Sequence, residues 1–163
     1  MFVLNTFKKY GQANIKDEKF LTLVGSVASI FGGIRFIWSQ LVDRYSFKLS
    51  YSIVVGINLI FGATIVLVSK QRYLYMIWVT FILWAWGAHF ALAPTICAKL
   101  FGKHAPMMFA VVFSSGAFAL IISSFLVKFF LASIGYATFY YIGTGMSAAA
   151  ALLLIFFKEE KVC

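Results

Sequence analysis

The residues with the most chemistry to offer lie at 32–48, GGIRFIWSQLVDRYSFK, where Arg35 stands inside an apolar run and Asp43, Arg44 and Lys48 follow it. Arg35 precedes Asp43 by eight residues, about 12 Å at helical rise. If Asp43 and Arg44 mark a membrane surface, Arg35 sits within hydrocarbon. Insertion scales put an arginine at a helix centre at about 2.5–3.5 kcal/mol, and one that stays there usually faces a bundle interior or a wet cavity. Its planar fork can grip a carboxylate through two parallel hydrogen bonds. The competing reading is a long side chain that snorkels to the interface. Asp43 follows the end of a helix, where the dipole is already negative, so it needs cationic or N–H partners. Arg44 and Lys48 can supply some of these, and the N-terminus of a neighbouring helix could supply more. Asp43 is then either a solvated turn residue or a latch that forms in one conformation and breaks in another.

Three further residues belong to the candidate substrate site. His89 lies well inside an apolar stretch, where a titratable group is either a hydrogen-bonded packing residue or a functional one. Ser115 and Gly116, in the cluster Ser114, Ser115 and Gly116, either line a cavity or pack. Lys128 stands near a helix end and reads as a snorkelling lysine.

These residues must be held by membrane helices. Of the 163 residues, 63% are hydrophobic, 19% aromatic and 12% charged, with a mean hydropathy of +0.94, far from a soluble domain. The sequence predicts an all-α, multi-pass integral membrane protein with five transmembrane helices at about 20–42, 49–69, 73–98, 106–131 and 136–157. Residues 1–19 read as the end of a preceding helix and a surface loop, and 158–163 as a polar tail. Pro106 is placed to open the fourth span, since its missing N–H would lack a partner there. Gly25, Ser29 and Gly33, and again Gly143, Ser147 and Ala151, recur every four residues, as stripes that let helices approach or line a substrate path. None of the five spans contains aspartate or glutamate, so no acidic partner for Arg35 is available within them.

The net charge of +9 falls in short gaps between apolar runs, as interfacial anchors and topology signals rather than a nucleic-acid surface. On the side of Asp43 stand Arg44, Lys48, Lys99, Lys103, Lys158 and Lys161; opposite are Lys8, Lys9, Lys16, Lys19, Lys70 and Arg72. Setting aside the four in the N-terminal tail favours the Asp43 loop in the cytoplasm. Cys97 and Cys163 have neither the number nor the spacing of a disulfide framework or a metal site. With no paired carboxylates, no histidine and cysteine cluster and no phosphate loop, the sequence predicts no enzyme, no cofactor and no metal.

The segment 32–48 resembles the eighth helix and following loop of the major facilitator superfamily, in the branch of oxalate:formate antiporters and monocarboxylate transporters. The loop signature there is a glycine, three residues, Asp-Arg, then a glycine and basic residues. Asp43, Arg44 and Lys48 match it, while Ser39 and Ser46 stand at the glycine positions and Phe47 replaces a basic residue. GAHFALAPTICAKLFG, at 87–102, is similar to the tenth helix, and YGQ followed by DEKFLTLVGS to the approach to the eighth. The resemblance implies helices 8–12 of a twelve-helix fold, a C-terminal fragment lacking its N-terminal half or a partner chain. It also implies that Arg35 is the substrate-carboxylate anchor and that Asp43, Arg44 and Lys48 form the gating loop, while His89, Ser115 and Gly116 stay candidate substrate residues from their own positions. Gly116 replaces the second cation of oxalate-type antiporters, and Phe31 the aspartate of monocarboxylate carriers. One cation suits a monocarboxylate, so the expected function is alternating-access transport of a small organic anion across a lipid bilayer. The rival expectation is a non-transporting membrane subunit or remnant that packs against partner helices.

Overall fold

The computed structural model describes residues 2–156, which are helical nearly throughout, with no strand among them. The elements are α1 (Phe2–Ile15), α2 (Glu18–Gly33), α3 (Phe36–Arg44), α4 (Phe47–Val68), α5 (Arg72–Phe101), α6 (Ala105–Ile134) and α7 (Tyr136–Phe156). A 3-10 turn, Gly102–His104, joins α5 to α6. The polar tail expected at 158–163 lies outside the described residues.

Local chemistry sets these boundaries. Asp17 caps α2 by accepting from the Phe20 N–H at 3.0 Å, and Ser46 caps α4 through Leu49 at 3.1 Å, each satisfying an otherwise orphaned donor. Gly102 at φ +48 and Gly135 at φ +82 end α5 and α6, in backbone conformations that side chains disfavour. Pro106 occupies the first turn of α6.

Four stretches are long and apolar enough to cross a membrane: Glu18–Arg44, Phe47–Val68, Arg72–Leu131 and Tyr136–Phe156. The third has 60 residues, about 90 Å if straight, three times the hydrocarbon thickness. It turns at Gly102 into two packed helices, α5 and α6, of 30 residues each. The chain is an integral, multi-pass membrane protein.

Two findings depart from the sequence expectations. The polar residues of 1–19 form no long loop: α1 runs to Ile15, and only Lys16 and Asp17 separate it from α2. Thr6, Tyr10 and Gly11 are buried on one face of α1 while Lys9, Gln12 and Ala13 are exposed, so its polarity is that of an amphipathic helix. Leu21 and Tyr75 occupy the space where a side chain at Gly11 would stand. The first span is also broken, into α2 and α3, between Gly33 and Phe36.

The helix α5 is the hub. One cluster joins Tyr75, Val79, Ile82 and Leu83 of α5 to Tyr10, Leu21, Val24, Ala28, Ile65 and Tyr140. A second joins Ala85, Ala88 and Leu92 of α5 to Trp38 and Val42 of α3 and Val54 of α4. Of the Gly25 stripe, a Cβ at Gly25 would meet Phe7 at 3.4 Å, whereas one at Gly33 would meet nothing within 4 Å. The stripe therefore brings helices close at one end only.

Candidate functional site

The break before α3 determines where Arg35 goes. Around it the backbone bonds shorten to a three-residue span: Ile34 N–H to Phe31 O at 3.0 Å, Ile37 to Ile34 at 3.3 Å and Trp38 to Arg35 at 3.1 Å. Such tightening advances the chain further per residue than an α-helix does. Arg35 is seven residues from Ala28 and seven from Val42, both buried. Seven residues are nearly two α-helical turns, so an unbroken helix would put Arg35 on that buried stripe. Instead Arg35 is exposed, and among the described residues it has no ion-pair partner.

Asp43, at the end of α3, is held from a direction the sequence did not suggest. Its Oδ1 lies 3.0 Å from Lys99 Nζ, in the last turn of α5, and the same ammonium donates to the Val42 carbonyl at 2.9 Å. The partner is thus a lysine of this chain, where the sequence pointed to Arg44, Lys48 or the N-terminus of a neighbouring helix. Lys99 meets the negative end of α3 through two groups at once, the Asp43 carboxylate and the Val42 carbonyl. Its signal was legible as a basic residue in a last turn on the same side as Asp43. Lys48 donates to the Ile155 carbonyl of α7 at 3.0 Å, and Arg44 is exposed.

His89, Ser115 and Gly116 come together. They share one cavity of about 590 Å³ between α4, α5 and α6, whose lining includes neither Arg35 nor any other charged residue. Aromatic rings frame it. Tyr51 meets His89 edge to face at 5.6 Å and stacks on Phe47 at 5.4 Å. Phe90 lies edge-on to Trp86 at 4.9 Å and to Phe113 of α6 at 5.9 Å. His89 Nδ1 is 3.1 Å from the Trp86 carbonyl, and Ser115 donates to the Val112 carbonyl at 2.6 Å. The structure therefore gathers three of the four expected substrate residues and leaves Arg35 outside that wall.

A second, smaller cavity of about 100 Å³ lies between α1, α4, α5 and α7, with Asn58, Thr144 and Ser147 in its wall. At the end of the bundle away from Asp43, Arg72 pairs with Asp17 at 2.9 Å and lies over the Phe20 ring at 5.8 Å. Lys128 Nζ sits 5.7 Å from the Phe129 ring. Among the described residues no three histidine, cysteine or acidic side chains cluster as a metal site would need.

Comparison with curated proteins and with solved structures returns no match. The sequence profile of the Major Facilitator Superfamily matches residues 5–162, nearly the whole chain. Multi-pass helices around a cavity are the architecture that alternating-access carriers use. The chain belongs to the Major Facilitator Superfamily, a family of membrane transporters rather than enzymes.

Proposed function

We propose that the protein carries a small, monocarboxylate-like organic anion across the membrane by alternating access, with Arg35 as the anchor for the carboxylate. The observation that carries this reading is a guanidinium within an apolar crossing, exposed and without an ion-pair partner among the described residues. Such a cation in hydrocarbon is stable only with an anion or water at hand, and a transported carboxylate supplies the anion in each cycle. The break between Gly33 and Phe36 supports the reading, because it separates Arg35 from the packed stripe. On this reading the chain is the C-terminal part of a twelve-helix carrier, and the exposed face bearing Arg35 would meet helices of the other half. Asp43 and Lys99 form a contact between α3 and α5 that opens as the helices move.

The test is uptake of labelled monocarboxylates into liposomes holding the protein, supplied with any upstream coding sequence. Arg35→Ala at equal expression should abolish uptake, and Arg35→Lys should leave a residue of it, since an ammonium keeps the charge and loses the fork. Normal uptake by Arg35→Ala would remove Arg35 from the mechanism. Absence of uptake from every form would favour a membrane subunit that packs with partner helices.

A further inference from the structure

The cavity shared by His89, Ser115 and Gly116 carries information about the substrate beyond its being an anion, and the inference rests on the transport reading above. Its volume is about 590 Å³, within the range of roughly 300–1,000 Å³ that holds drug-sized ligands and some twenty times the roughly 30 Å³ share of one water molecule. A two- or three-carbon acid would leave most of it empty. No charged side chain lines it, so a carboxylate inside would give up water for an aromatic wall that offers no ion-pair partner, which is unfavourable. The part of the ligand that occupies it is uncharged.

The walls narrow the chemistry further. Tyr51, His89, Trp86, Phe90 and Phe113 present rings in edge-to-face relations, and this surface favours another planar ring, by offset or edge contacts, over a flexible chain. The polar groups have a consistent sense. The contact of His89 Nδ1 with the Trp86 carbonyl requires a proton on Nδ1, which makes Nε2 of the neutral imidazole an acceptor. The Ser115 hydroxyl donates its hydrogen bond to the Val112 carbonyl and so also offers its lone pairs. Both can accept a hydrogen bond from a ligand donor. The Tyr51 hydroxyl can take either role.

We propose that the substrate is an aryl carboxylate bearing a ring hydroxyl or N–H, whose ring is seated between α4, α5 and α6 with its donor on His89 or Ser115 and whose carboxylate lies outside this cavity.

The experiment is calorimetric titration of the protein in lipid nanodiscs with 4-hydroxybenzoate, benzoate, octanoate, acetate and 4-hydroxybenzyl alcohol. Affinity should follow the order 4-hydroxybenzoate, benzoate, acetate, with benzoate about three- to tenfold weaker than its hydroxylated relative for the loss of one hydrogen bond. Gly116→Leu should abolish binding of both aryl acids. A side chain there begins in open space, since a Cβ at Gly116 meets nothing within 4 Å, and an unchanged melting temperature confirms that the variant folds. A double variant, His89→Phe with Ser115→Ala, should bring 4-hydroxybenzoate down to the level of benzoate. Octanoate binding as tightly as the aryl acids would make the cavity an acyl-chain groove and overturn the proposal, as would equal binding of acetate or unaltered aryl binding by Gly116→Leu. Failure of every ligand to bind would also overturn it. The alcohol and Arg35→Ala separate the two readings: if Arg35→Ala leaves 4-hydroxybenzoate binding unchanged, the anion anchor fails while the ring seat stands.

Discussion

Breaking the contact between Asp43 and Lys99 should shift a conformational equilibrium without unfolding the protein, and the size of that shift can be bounded. At 3.0 Å two unit charges attract by about 1.4 kcal/mol in bulk water. The Asp43 and Lys99 side chains remain 60% and 42% exposed, so solvent screening and the entropy of holding a lysine leave a net of about 0.2–1 kcal/mol. The bond from Lys99 to the Val42 carbonyl is lost with Lys99 and kept with Asp43, which makes the two single variants unequal. A thermodynamic cycle of Asp43→Asn, Lys99→Met and the double variant isolates the pair. Measured by thermal unfolding in nanodiscs, the coupling should be about 0.2–1 kcal/mol, with Lys99→Met the costlier single change. In 1 M salt, where the Debye length is about 3 Å, it should shrink towards zero. If the pair closes one state of the transport cycle, its loss raises the open population by up to about fivefold. Strictly additive single variants, or a coupling indifferent to salt, would refute the latch.

Replacing Gly32 and Gly33 by alanine should extend α2 through the break. The helix gains about 1 kcal/mol per glycine, a Cβ at either meets nothing within 4 Å, and Arg35 turns towards the stripe of Ala28 and Val42. Transport should fall although Arg35 is intact, and unaltered uptake would show that the break does not place Arg35. Gly11→Val should destabilise by about 1–3 kcal/mol, because Leu21 and Tyr75 fill the space it needs; a melting temperature equal to the parent's would show that α1 does not pack there. Tyr75→Phe removes the 2.6 Å bond from its hydroxyl to the Phe7 carbonyl. The cost should be about 0.5–1.5 kcal/mol, seen as faster amide hydrogen exchange in α1, and equal exchange would show that the bond does not hold that helix.

Burying apolar surface in lipid requires long helices with every backbone group bonded, and composition alone exposes that requirement. The helical fold and its multi-pass character were therefore readable from composition, and the family from the residues at 32–48 and 87–102. What was less readable are features that depend on phase and on long-range proximity. The polar α1 resembles a loop until Tyr10 and Thr6 are seen to share its buried face. Lys99 resembles one more topology charge until α3 and α5 are seen to end side by side. His89 lies 26 residues before Ser115, and only the fold-back at Gly102 brings both to one cavity.

Arg35 shows most clearly how a local irregularity changes the meaning of a residue. By α-helical spacing it belongs with Ala28 and Val42, and on that stripe it would face α5 among apolar side chains, where an unpaired guanidinium is not stable. The sequence resolves the conflict with two adjacent glycines just before it, which weaken the α-helix and let the bonds around Ile34 and Arg35 contract to a three-residue span. The stripe then resumes at Trp38 and Val42 with Arg35 left out of it. Packing residues and the cation are thus carried by one crossing without competing for one face. The separation extends to the other candidate residues: Arg35 stands at a helix break, the Asp43 to Lys99 contact at the helix ends of α3 and α5, and the aromatic cavity between α4, α5 and α6. Because these three share α5 or its immediate neighbours as their support, a movement of α5 relative to α3 would break the Asp43 to Lys99 contact and reshape the cavity wall together, and the proposed alternating-access reading draws on this mechanical link.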